Sequence, residues 1–457
     1  MPDIRFHHVT VVWGEPFTRF FLRCTLPCML AKENIPAMST NRDSVFVIYT
    51  TERDATFMKA TVGIDTLRRY IRVEFRVIAP EDEPMLKSHS VYNALAAFHR
   101  DAIQRAAKEG AFLTIWAPDT FMSAGTFPAL ERRAAEGYDT VLVSRLLAVE
   151  ETMNPWFATT FDGRIQVSLS AAHLVEVGWR HFHPLTAAMM FESDEFANDW
   201  PSELWWHDGS DVIVAHSWHL HPLMSRPSIL AAGMNQTVDG GYLQLLANGG
   251  WAPYLCTDSD EICIVGPTTE QYGQRFLRDR GAFNRERVLK WTDNYVDPAH
   301  AELFRIPVVF KGSGASQSVV AELTQNSAKV AHELVASLNA RTRVPRLWNL
   351  DDLSRTDAIH IYGTGAAGRN LLARLRREGF EVTGFIDSFR GGSVDDIPVR
   401  RLADYLDVRR VGDQVIIGSQ YVREIFETLR AAGVGSARDG SPFSQAFLDF
   451  EIRRLDT

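Results

Sequence analysis

The sequence predicts an α/β protein with a mainly parallel sheet in its amino-terminal half and a second, smaller sheet near its carboxyl end. Two observations lead to this prediction. Short apolar runs that favour strands alternate with stretches of helical period, and a glycine-rich turn separates a strand from a helix late in the chain. Such alternation indicates βαβ units. Since 457 residues suffice for two or three domains, we expect three regions, at residues 1–265, 266–350 and 351–457.

Each element of the first half follows from the spacing of apolar residues. The run at residues 45–49 is almost entirely apolar, which suits a strand buried on both faces. Pro27 should kink the helix in which it lies. The predicted strands are residues 9–13, 45–49, 73–78, 112–116 and 140–147, and the predicted helices are residues 17–30, 91–108 and 126–136.

Composition excludes several classes of protein. A net charge of -9 and a pI near 5.9 argue against binding to a nucleic-acid backbone, for which a basic face is typical. The amino terminus has no signal-peptide pattern, and no uncharged apolar run reaches the length of a membrane span, so we expect a cytoplasmic protein. The cysteines are too few for a disulfide framework and should be buried thiols: Cys24, Cys28, Cys256 and Cys263.

Polar residues follow three predicted strands at the point where each strand ends. They are Gly14-Glu15, Thr50-Thr51-Glu52 and, after Pro118, the lone carboxylate Asp119. In open α/β sheets, ligands bind in the crevice beyond the carboxyl ends of the strands. Asp119 is therefore a candidate to hold a metal ion or a sugar–nucleotide. The alternative is that Asp119 only turns the chain, since Pro-Asp is a favourable turn pair.

Residues 150–265 are rich in tryptophan and histidine and contain two similar segments, at residues 181–185 and 219–223. In an extended strand, residues i and i+2 share a face, so His219 and His221 would project together. Paired imidazoles can ligate a divalent metal with oxygen supplied by Asp119 or Asp239. The alternative is that these histidines are hydrogen-bonded, half-buried aromatic residues. Asp239 precedes two glycines, which favours either close approach of a ligand or a tight turn.

The connecting region, residues 266–350, is predicted to be mainly helical and shows no catalytic constellation. Its glycine-rich segment at residues 311–316 lacks the Gly-Lys-Ser/Thr ending of a P-loop, so we interpret it as a flexible loop.

The last region begins with a predicted strand at residues 358–362, the turn Gly363-Thr-Gly365-Ala-Ala-Gly368 and a helix. A second strand follows and ends in Asp387. Strand, glycines, helix, strand and acid in this order predict a Rossmann-like domain. A nucleotide or dinucleotide would lie at Gly363, Gly365 and Gly368, with Asp387 on a ribose hydroxyl. The alternative is that the glycines serve packing and the domain is a scaffold or a homodimer surface.

These patterns resemble two known families. The carboxyl-terminal pattern is similar to the small Rossmann-like domains of bacterial sugar acetyltransferases and sugar methyltransferases. The amino-terminal half resembles GT-A-type glycosyltransferases and so implies a mixed sheet. That resemblance places the nucleotide of a sugar donor near Thr50 and Glu52, and a metal-bridged diphosphate at an Asp-x-Asp motif. In this sequence, Ala117-Pro118-Asp119 has only the second acid of that motif. The resemblance then implies that His219 or His221 supplies the missing metal ligand.

The resemblance implies a glycosyltransferase that moves a sugar from a nucleotide-sugar donor to a carbohydrate or protein acceptor in cell-surface glycan synthesis. We expect Asp119 to hold the donor phosphate or a divalent metal (Mn²⁺ or Mg²⁺), His221 to be an auxiliary ligand, and Asp239 to act as base or acceptor contact. Two other classes stay open. One is a metal-dependent hydrolase using the paired histidines, and the other is a non-catalytic nucleotide-sensing protein.

Overall fold

A computed structural model describes residues 4–209, 211–227 and 236–455. The described strands up to residue 311, in chain order, are β1 (Phe6–Val11), β2 (Val45–Thr50), β3 (Arg72–Ile78), β4 (Phe112–Trp116), β5 (Phe121–Met122), β6 (Thr140–Val143), β7 (Leu146–Val149), β8 (Phe196–Ala197), β9 (Glu203–His207), β10 (Val212–Ser217), β11 (His221–Ser225), β12 (Pro253–Leu255), β13 (Ile264–Thr268), β14 (Arg280–Gly281) and β15 (Val308–Lys311).

The helices that accompany these strands are α1 (Glu15–Phe20), α2 (Leu26–Met29), α3 (Glu52–Lys59), α4 (Val62–Arg68), α5 (Met85–Ser88), α6 (Val91–Glu109), α7 (Thr126–Ala135), α8 (Glu150–Phe161), α9 (Ala171–Arg180), α10 (Pro184–Ala187), α11 (Tyr242–Asn248), α12 (Arg285–Tyr295), α13 (Pro298–Phe304) and α14 (Gln317–Asn339).

The remaining elements are β16 (Ile359–Tyr362), α15 (Ala366–Arg377), β17 (Val382–Asp387), β18 (Gly392–Val394), β19 (Ile397–Arg401), α16 (Leu402–Val408), β20 (Gln414–Ile417), α17 (Val422–Ala431), β21 (Arg438–Asp439) and β22 (Ile452–Leu455).

The largest sheet has the order β12-β6-β11-β4-β1-β2-β3-β22. Strands β4, β1, β2 and β3 are parallel, and β6 is parallel to β12. Strand β11 is antiparallel to both of its neighbours, β4 and β6. The sheet is therefore mixed, as expected. The carboxyl ends of β1, β2, β4 and β6 meet at one edge, which also holds the start of β11.

The predicted strand at residues 140–147 is in fact two strands. The chain pairs with β11 and β12 up to Val143, breaks at Ser144 and Arg145, and resumes as β7 in a separate sheet beside β13. The prediction of one continuous strand was wrong because a change of partner sheet leaves the apolar run uninterrupted. The break matters for function, since it places Arg145 at the edge where the parallel strands end.

The predicted helix at residues 17–30 is also interrupted. A π-helical turn, Phe21–Thr25, separates α1 from α2, and Pro27 lies in the first turn of α2. Proline has no N–H to donate to the carbonyl of the preceding helical turn, and its ring is in steric conflict with that carbonyl. A π turn, in which bonds span five residues, is one way in which a helix absorbs such a break.

The connecting region is less purely helical than predicted. Helices α12, α13 and α14 are present, but β13 pairs with β7 and β15 pairs with β10. Residues 266–311 therefore supply strands to the sheets of the first region.

The carboxyl-terminal sheet has the order β18-β19-β17-β16-β20-β21. All pairs among these strands are parallel except that β18 is antiparallel to β19 at the edge. The parallel strands, numbered along the chain, follow the order 3-2-1-4-5, which is the order of the first five strands of a doubly wound α/β sheet. The predicted α/β fold class is confirmed.

The last strand leaves this domain. Strand β22 pairs antiparallel with the edge strand β3, and Leu448 and Phe450 belong to the core of the first region. The predicted region 351–457 thus includes a segment that packs elsewhere. Covering β3 protects an otherwise exposed sheet edge. Within the described ranges, no helix is both long enough and apolar enough to cross a bilayer.

Candidate functional site

Asp119 follows β4 at the carboxyl edge of the sheet and is half-buried. Burial raises the pKa of its carboxyl, and the positive charge of Arg145 partly opposes that shift. The carboxylate therefore lies near a cation, in surroundings with little water.

Arg145 is the residue that sequence reasoning missed. It lies between β6 and β7 and is exposed. Its guanidinium makes no hydrogen bond or ion pair with any residue that the structure describes. Its charge nevertheless influences the pKa values of Asp119, His221 and Asp239. The sequence did contain a signal, because Arg145 is a single cation inside an apolar run. A strand that is buried on both faces would not tolerate that charge.

Asp239 is exposed to solvent, yet desolvation is the largest influence on its pKa. This combination describes a carboxylate in a cleft, open to water but surrounded by protein. A hydrogen bond from Thr237 and the charges of His221, Arg145 and His219 outweigh the desolvation, so the pKa of Asp239 is lowered. Asp239 is therefore ionised at neutral pH.

His219 and His221 lie near Asp239, but their rings are held by different elements. The Nε2 atom of His221 is 2.9 Å from the carbonyl oxygen of Ile115, and that of His219 is 2.9 Å from the carbonyl oxygen of Tyr295. Since a carbonyl only accepts, Nε2 carries the proton in both rings and Nδ1 is the acceptor. Burial lowers the pKa of both imidazoles, which keeps them neutral.

The expected strand geometry of the two similar segments was wrong. His221 begins β11, but His219 precedes that strand. His181 follows the end of α9, and His183 caps α10 by accepting from the Leu185 N–H at 3.1 Å. The likeness of the two segments in sequence therefore has no counterpart in structure.

In the described parts of the chain, no group of three or more His, Cys, Asp or Glu residues is arranged to hold a metal ion. The predicted ligands Asp119, His219 and His221 do not form such a group among the described residues. The neutral Nδ1 of each ring is able to bind a metal ion as one ligand. The hydrogen bond from Nε2–H to a carbonyl is consistent with this, because metal-ligating histidines usually donate their other ring N–H in that way.

Hydrogen bonds order the residues that follow β1 and β2, where the donor nucleotide is predicted to bind. Thr50 ends β2, and its buried hydroxyl has no hydrogen-bond partner among the described residues. Thr51 caps α3 by accepting from the Asp54 N–H at 3.2 Å, and Asp54 accepts from the Gly14 N–H at 2.8 Å. Glu52 is exposed in the first turn of α3. The loop after β1 is thus tied to the helix after β2.

The three glycines of the second candidate site have different roles. Gly363 has a φ of 110°, and a Cβ there would lie 2.7 Å from the Gly418 carbonyl oxygen. A Cβ at Gly368 would collide with the Gly363 carbonyl oxygen. At Gly365 a Cβ would meet no described atom within 4 Å. Gly363 and Gly368 therefore serve the turn and helix packing, while Gly365 borders open space at the start of α15.

Asp387 ends β17 as predicted, but its oxygens already have partners. One accepts from the Thr364 hydroxyl at 2.7 Å, and the other accepts from the backbone N–H groups of Phe389 and Arg390 at 3.0 and 3.3 Å. These bonds outweigh desolvation and lower the pKa of Asp387. A ribose hydroxyl that donates to Asp387 would therefore share its carboxylate oxygens with these hydrogen bonds from the turn.

No protein-family profile matches the sequence, and no curated protein matches it significantly. Among solved structures, the chain is similar to mouse xyloside xylosyltransferase 1 in its apo form, with 15% identity and a TM-score of 0.21. The aligned region covers 34% of this chain and 58% of the mouse chain. A TM-score of this size does not define a shared fold.

Proposed function

We propose that the protein is a glycosyltransferase that moves a sugar from a nucleotide-sugar donor to a carbohydrate or protein acceptor in cell-surface glycan synthesis. The observation that carries this proposal is Arg145. It is an exposed guanidinium without a described hydrogen-bonding or ion-pair partner, at the carboxyl ends of the parallel strands. Two carboxylates, Asp119 and Asp239, lie within its electrostatic reach.

The cation suits the leaving group of such a reaction. When the bond between the sugar and the donor phosphate breaks, negative charge grows on the nucleoside diphosphate. A positioned cation stabilises that charge. The planar guanidinium of arginine binds phosphate oxygens in a bidentate manner. In this proposal Arg145 holds the diphosphate, Asp119 contacts the donor, and Thr50 and Glu52 border the nucleotide.

The base is Asp239. Its lowered pKa keeps it ionised at neutral pH, so it can accept the proton of the acceptor hydroxyl as that oxygen attacks the anomeric carbon. His221 lies nearby as a neutral ring whose Nδ1 accepts a hydrogen bond from a sugar hydroxyl. If Mn²⁺ or Mg²⁺ binds, Asp119 and His221 are the residues that we propose to contact it.

The carboxyl-terminal domain is proposed to bind a nucleotide or dinucleotide near Gly365 without taking part in the transfer. The open space at Gly365 and the parallel sheet order support this separate role.

The first test is a thermal-shift screen of nucleotide-sugars and nucleoside diphosphates, with and without Mn²⁺, followed by calorimetry on Arg145→Gln. Loss of charge-assisted hydrogen bonds of about 1.5–3 kcal/mol should weaken diphosphate binding about 10- to 100-fold. Asp239→Asn should keep donor binding but lower transfer by about 10² to 10⁴. The matched control is Arg42→Gln, an exposed arginine that precedes the amino end of β2.

Full diphosphate binding and full transfer by the Arg145→Gln variant would overturn the proposal. Metal-dependent hydrolysis without a nucleotide-sugar would favour a hydrolase, and tight nucleotide binding without turnover would favour a sensing protein.

A further inference from the structure

A cluster of aromatic rings with an exposed surface lies beside His219. Tyr295, the last residue of α12, is 44% exposed. Trp291, one helical turn earlier, packs against it with ring centres 5.2 Å apart, and the half-buried Trp200 lies 5.0 Å from the same ring. The His219 ring lies 5.6 Å from Trp291, and its Nε2 donates to the Tyr295 carbonyl oxygen at 2.9 Å. Tyr295 is therefore held by neighbouring rings next to an imidazole, while much of its own surface is open to solvent.

Two hydrogen-bond acceptors stand next to these rings. The half-buried Glu203 begins β9 and pairs with Ser217 at the end of β10. Its carboxylate accepts from Trp205 Nε1 at 3.0 Å and from the Ser217 hydroxyl at 3.3 Å, and that hydroxyl accepts from the His219 N–H at 3.2 Å. A carboxylate has about four positions for donors, so Glu203 has acceptor capacity left. The second acceptor is Nδ1 of His219.

Strand pairing and a hydrogen bond join this cluster to the edge where Arg145 and Asp119 lie. His221, two residues after His219, pairs with the last residue of β6, and its Nε2 donates to the Ile115 carbonyl of β4. Arg145 lies two residues beyond that end of β6, and Asp119 follows β4. The chain from His219 to His221 therefore runs from the aromatic cluster directly to the proposed donor site.

A second connection leads to Asp239. Helix α11 begins three residues after Asp239, and the Gln244 side-chain oxygen on α11 accepts from the Ala299 N–H on α13 at 3.0 Å. Helix α13 also carries His300, whose ring lies 5.2 Å from that of His219. The proposed base and the aromatic cluster are thus fixed to the same pair of helices.

The chemistry of this surface suits a pyranose. The face of an aromatic ring carries partial negative charge, which attracts the weakly positive C–H groups on one face of a sugar. Hydroxyl groups at the edge of the sugar are donors for Glu203 and for Nδ1 of His219. A few placed polar groups among aromatic rings are typical of sites for small ligands.

A cation is the other ligand that binds beside a ring and a carboxylate. Positive charge is already present here, because the Arg275 guanidinium lies 4.7 Å from the ring centre of Phe276. Phe276 in turn stacks on Trp200 at 4.3 Å. The cluster therefore favours an uncharged ligand.

We propose that this surface, the sugar platform (Trp200, Glu203, His219 and Tyr295), binds a pyranose residue of the acceptor, so that the acceptor is a carbohydrate. This inference rests on the proposed glycosyl transfer and names the class of its acceptor. One face of the pyranose stacks on Tyr295, and its hydroxyls donate to Glu203 and to Nδ1 of His219.

The transfer balances without a further reactant. A hydroxyl oxygen of the acceptor forms a bond to the anomeric carbon of the donor sugar. The bond from that carbon to the phosphate oxygen breaks, and its electron pair leaves with the nucleoside diphosphate. The hydroxyl proton passes to Asp239.

The test is saturation-transfer NMR on the full chain with the methyl pyranosides of glucose, galactose, mannose, xylose, rhamnose and N-acetylglucosamine as probes. We expect at least one of them to bind, with the strongest transfer to the C–H protons of one sugar face. Tyr295→Ala keeps the carbonyl that His219 needs and should weaken that binding about 3- to 10-fold. Tyr295→Phe keeps the ring and should bind nearly as the wild type does.

Glu203→Gln should weaken the same binding about tenfold, because a charged acceptor of sugar hydroxyls is lost. The matched control is Tyr70→Ala, which removes a 38% exposed ring before the amino end of β3 and should bind as the wild type does. Binding of none of the methyl pyranosides would overturn the inference. Equal binding by the wild type, Tyr295→Ala and Glu203→Gln would also overturn it, as would tighter binding of choline than of every methyl pyranoside.

Nucleoside diphosphate binding separates this inference from the proposed function. Tyr295→Ala and Glu203→Gln should keep it, while Arg145→Gln should lose it. If Arg145→Gln loses diphosphate binding and no methyl pyranoside binds, the sugar platform is refuted and the proposed function stands. If a methyl pyranoside binds through Tyr295 while Arg145→Gln keeps full diphosphate binding and full transfer, the proposed function is refuted and the sugar platform stands.

Discussion

At the scale of single residues, buried imidazoles make the fold sensitive to acid. His8 on β1 is completely buried, its Nδ1 lies 2.8 Å from the Thr114 hydroxyl, and its ring stacks on Phe6 at 5.3 Å. Its Nε2 has no hydrogen-bond partner in the described structure. Burial lowers the pKa of His8 to about 3, and it lowers those of His99 and His216 to about 4. These rings are neutral in the folded state.

Acid should therefore unfold the protein in a predictable window. Below the ordinary histidine pKa of 6.5 the unfolded chain takes up a proton that folded His8 refuses until about pH 3. The stability is full above pH 6.5 and falls by about 1.4 kcal/mol per pH unit for each such group as the pH decreases. His8→Phe should reduce the loss between pH 6.5 and 5 by about 2 kcal/mol, measured by denaturant unfolding. The exposed His89→Gln should keep the wild-type slope. An identical slope in His8→Phe would contradict the prediction.

At the scale of elements, two glycines in and after the turn between β16 and α15 have different roles. Gly368 serves packing, and Gly365 lies at the proposed ligand site. Gly368 is pressed against the Gly363 carbonyl, whereas Gly365 borders open space and has a φ of -74° that any residue can adopt. The two glycines look equivalent in sequence, but substitution should affect them differently.

Gly368→Val should destabilise the carboxyl-terminal domain by several kcal/mol, because a side chain would force α15 away from the sheet. Gly365→Val should keep the melting temperature but weaken nucleotide binding at least tenfold, because the side chain would fill the space at the helix start. Calorimetry with NAD and ADP on the Arg145→Gln background removes the contribution of the cleft. If that background binds neither nucleotide, or if Gly365→Val binds as well as its parent, the glycines serve packing alone.

At the scale of the whole molecule, the two sheets are joined by the returning carboxyl-terminal segment. Phe447 is held between the guanidiniums of Arg100 on α6 and of Arg374 and Arg377 on α15, at 3.8 to 4.5 Å from its ring centre. Arg100 also donates to the Leu448 carbonyl.

A second junction is made by Arg346. Its guanidinium is almost buried and bonds to Asp297 at the start of α13 and, at 2.6 Å, to Asp439 on β21. One arginine thus links the connecting region to the edge of the carboxyl-terminal sheet.

The Phe447 junction should couple the unfolding of the two regions. Phe447 is half-buried, and Phe447→Ala removes the ring and its three cation–π contacts, at a cost of about 1.5–3 kcal/mol. Scanning calorimetry should then show two transitions where the wild type shows one. Phe389→Ala, at a ring that is 87% exposed, is the control and should leave the transition unchanged. A single transition at the wild-type temperature in Phe447→Ala would show that the segment does not couple the regions.

Local pattern was sufficient for much of this molecule. The bounds of β4 were predicted correctly, and those of β2 and α6 to within one residue, because each depends on the spacing of its own apolar residues. The four cysteines are buried and free, as expected. The turn from Gly363 to Gly368 was recognisable because glycine is required wherever the backbone crowds itself.

Contacts between distant segments settled the rest. The chain breaks at Arg145 because β6 and β7 have partners in different sheets, and nothing within the apolar run records which partners those are. His219 and His221 are fixed by carbonyls about 76 and 106 residues away, and β22 is fixed by a strand near the other end of the chain. A sequence encodes the preference of each segment directly. The choice of partner is a free-energy difference over the whole folded chain, so the site of Asp119, Arg145 and Asp239 is complete only when those partners have been made.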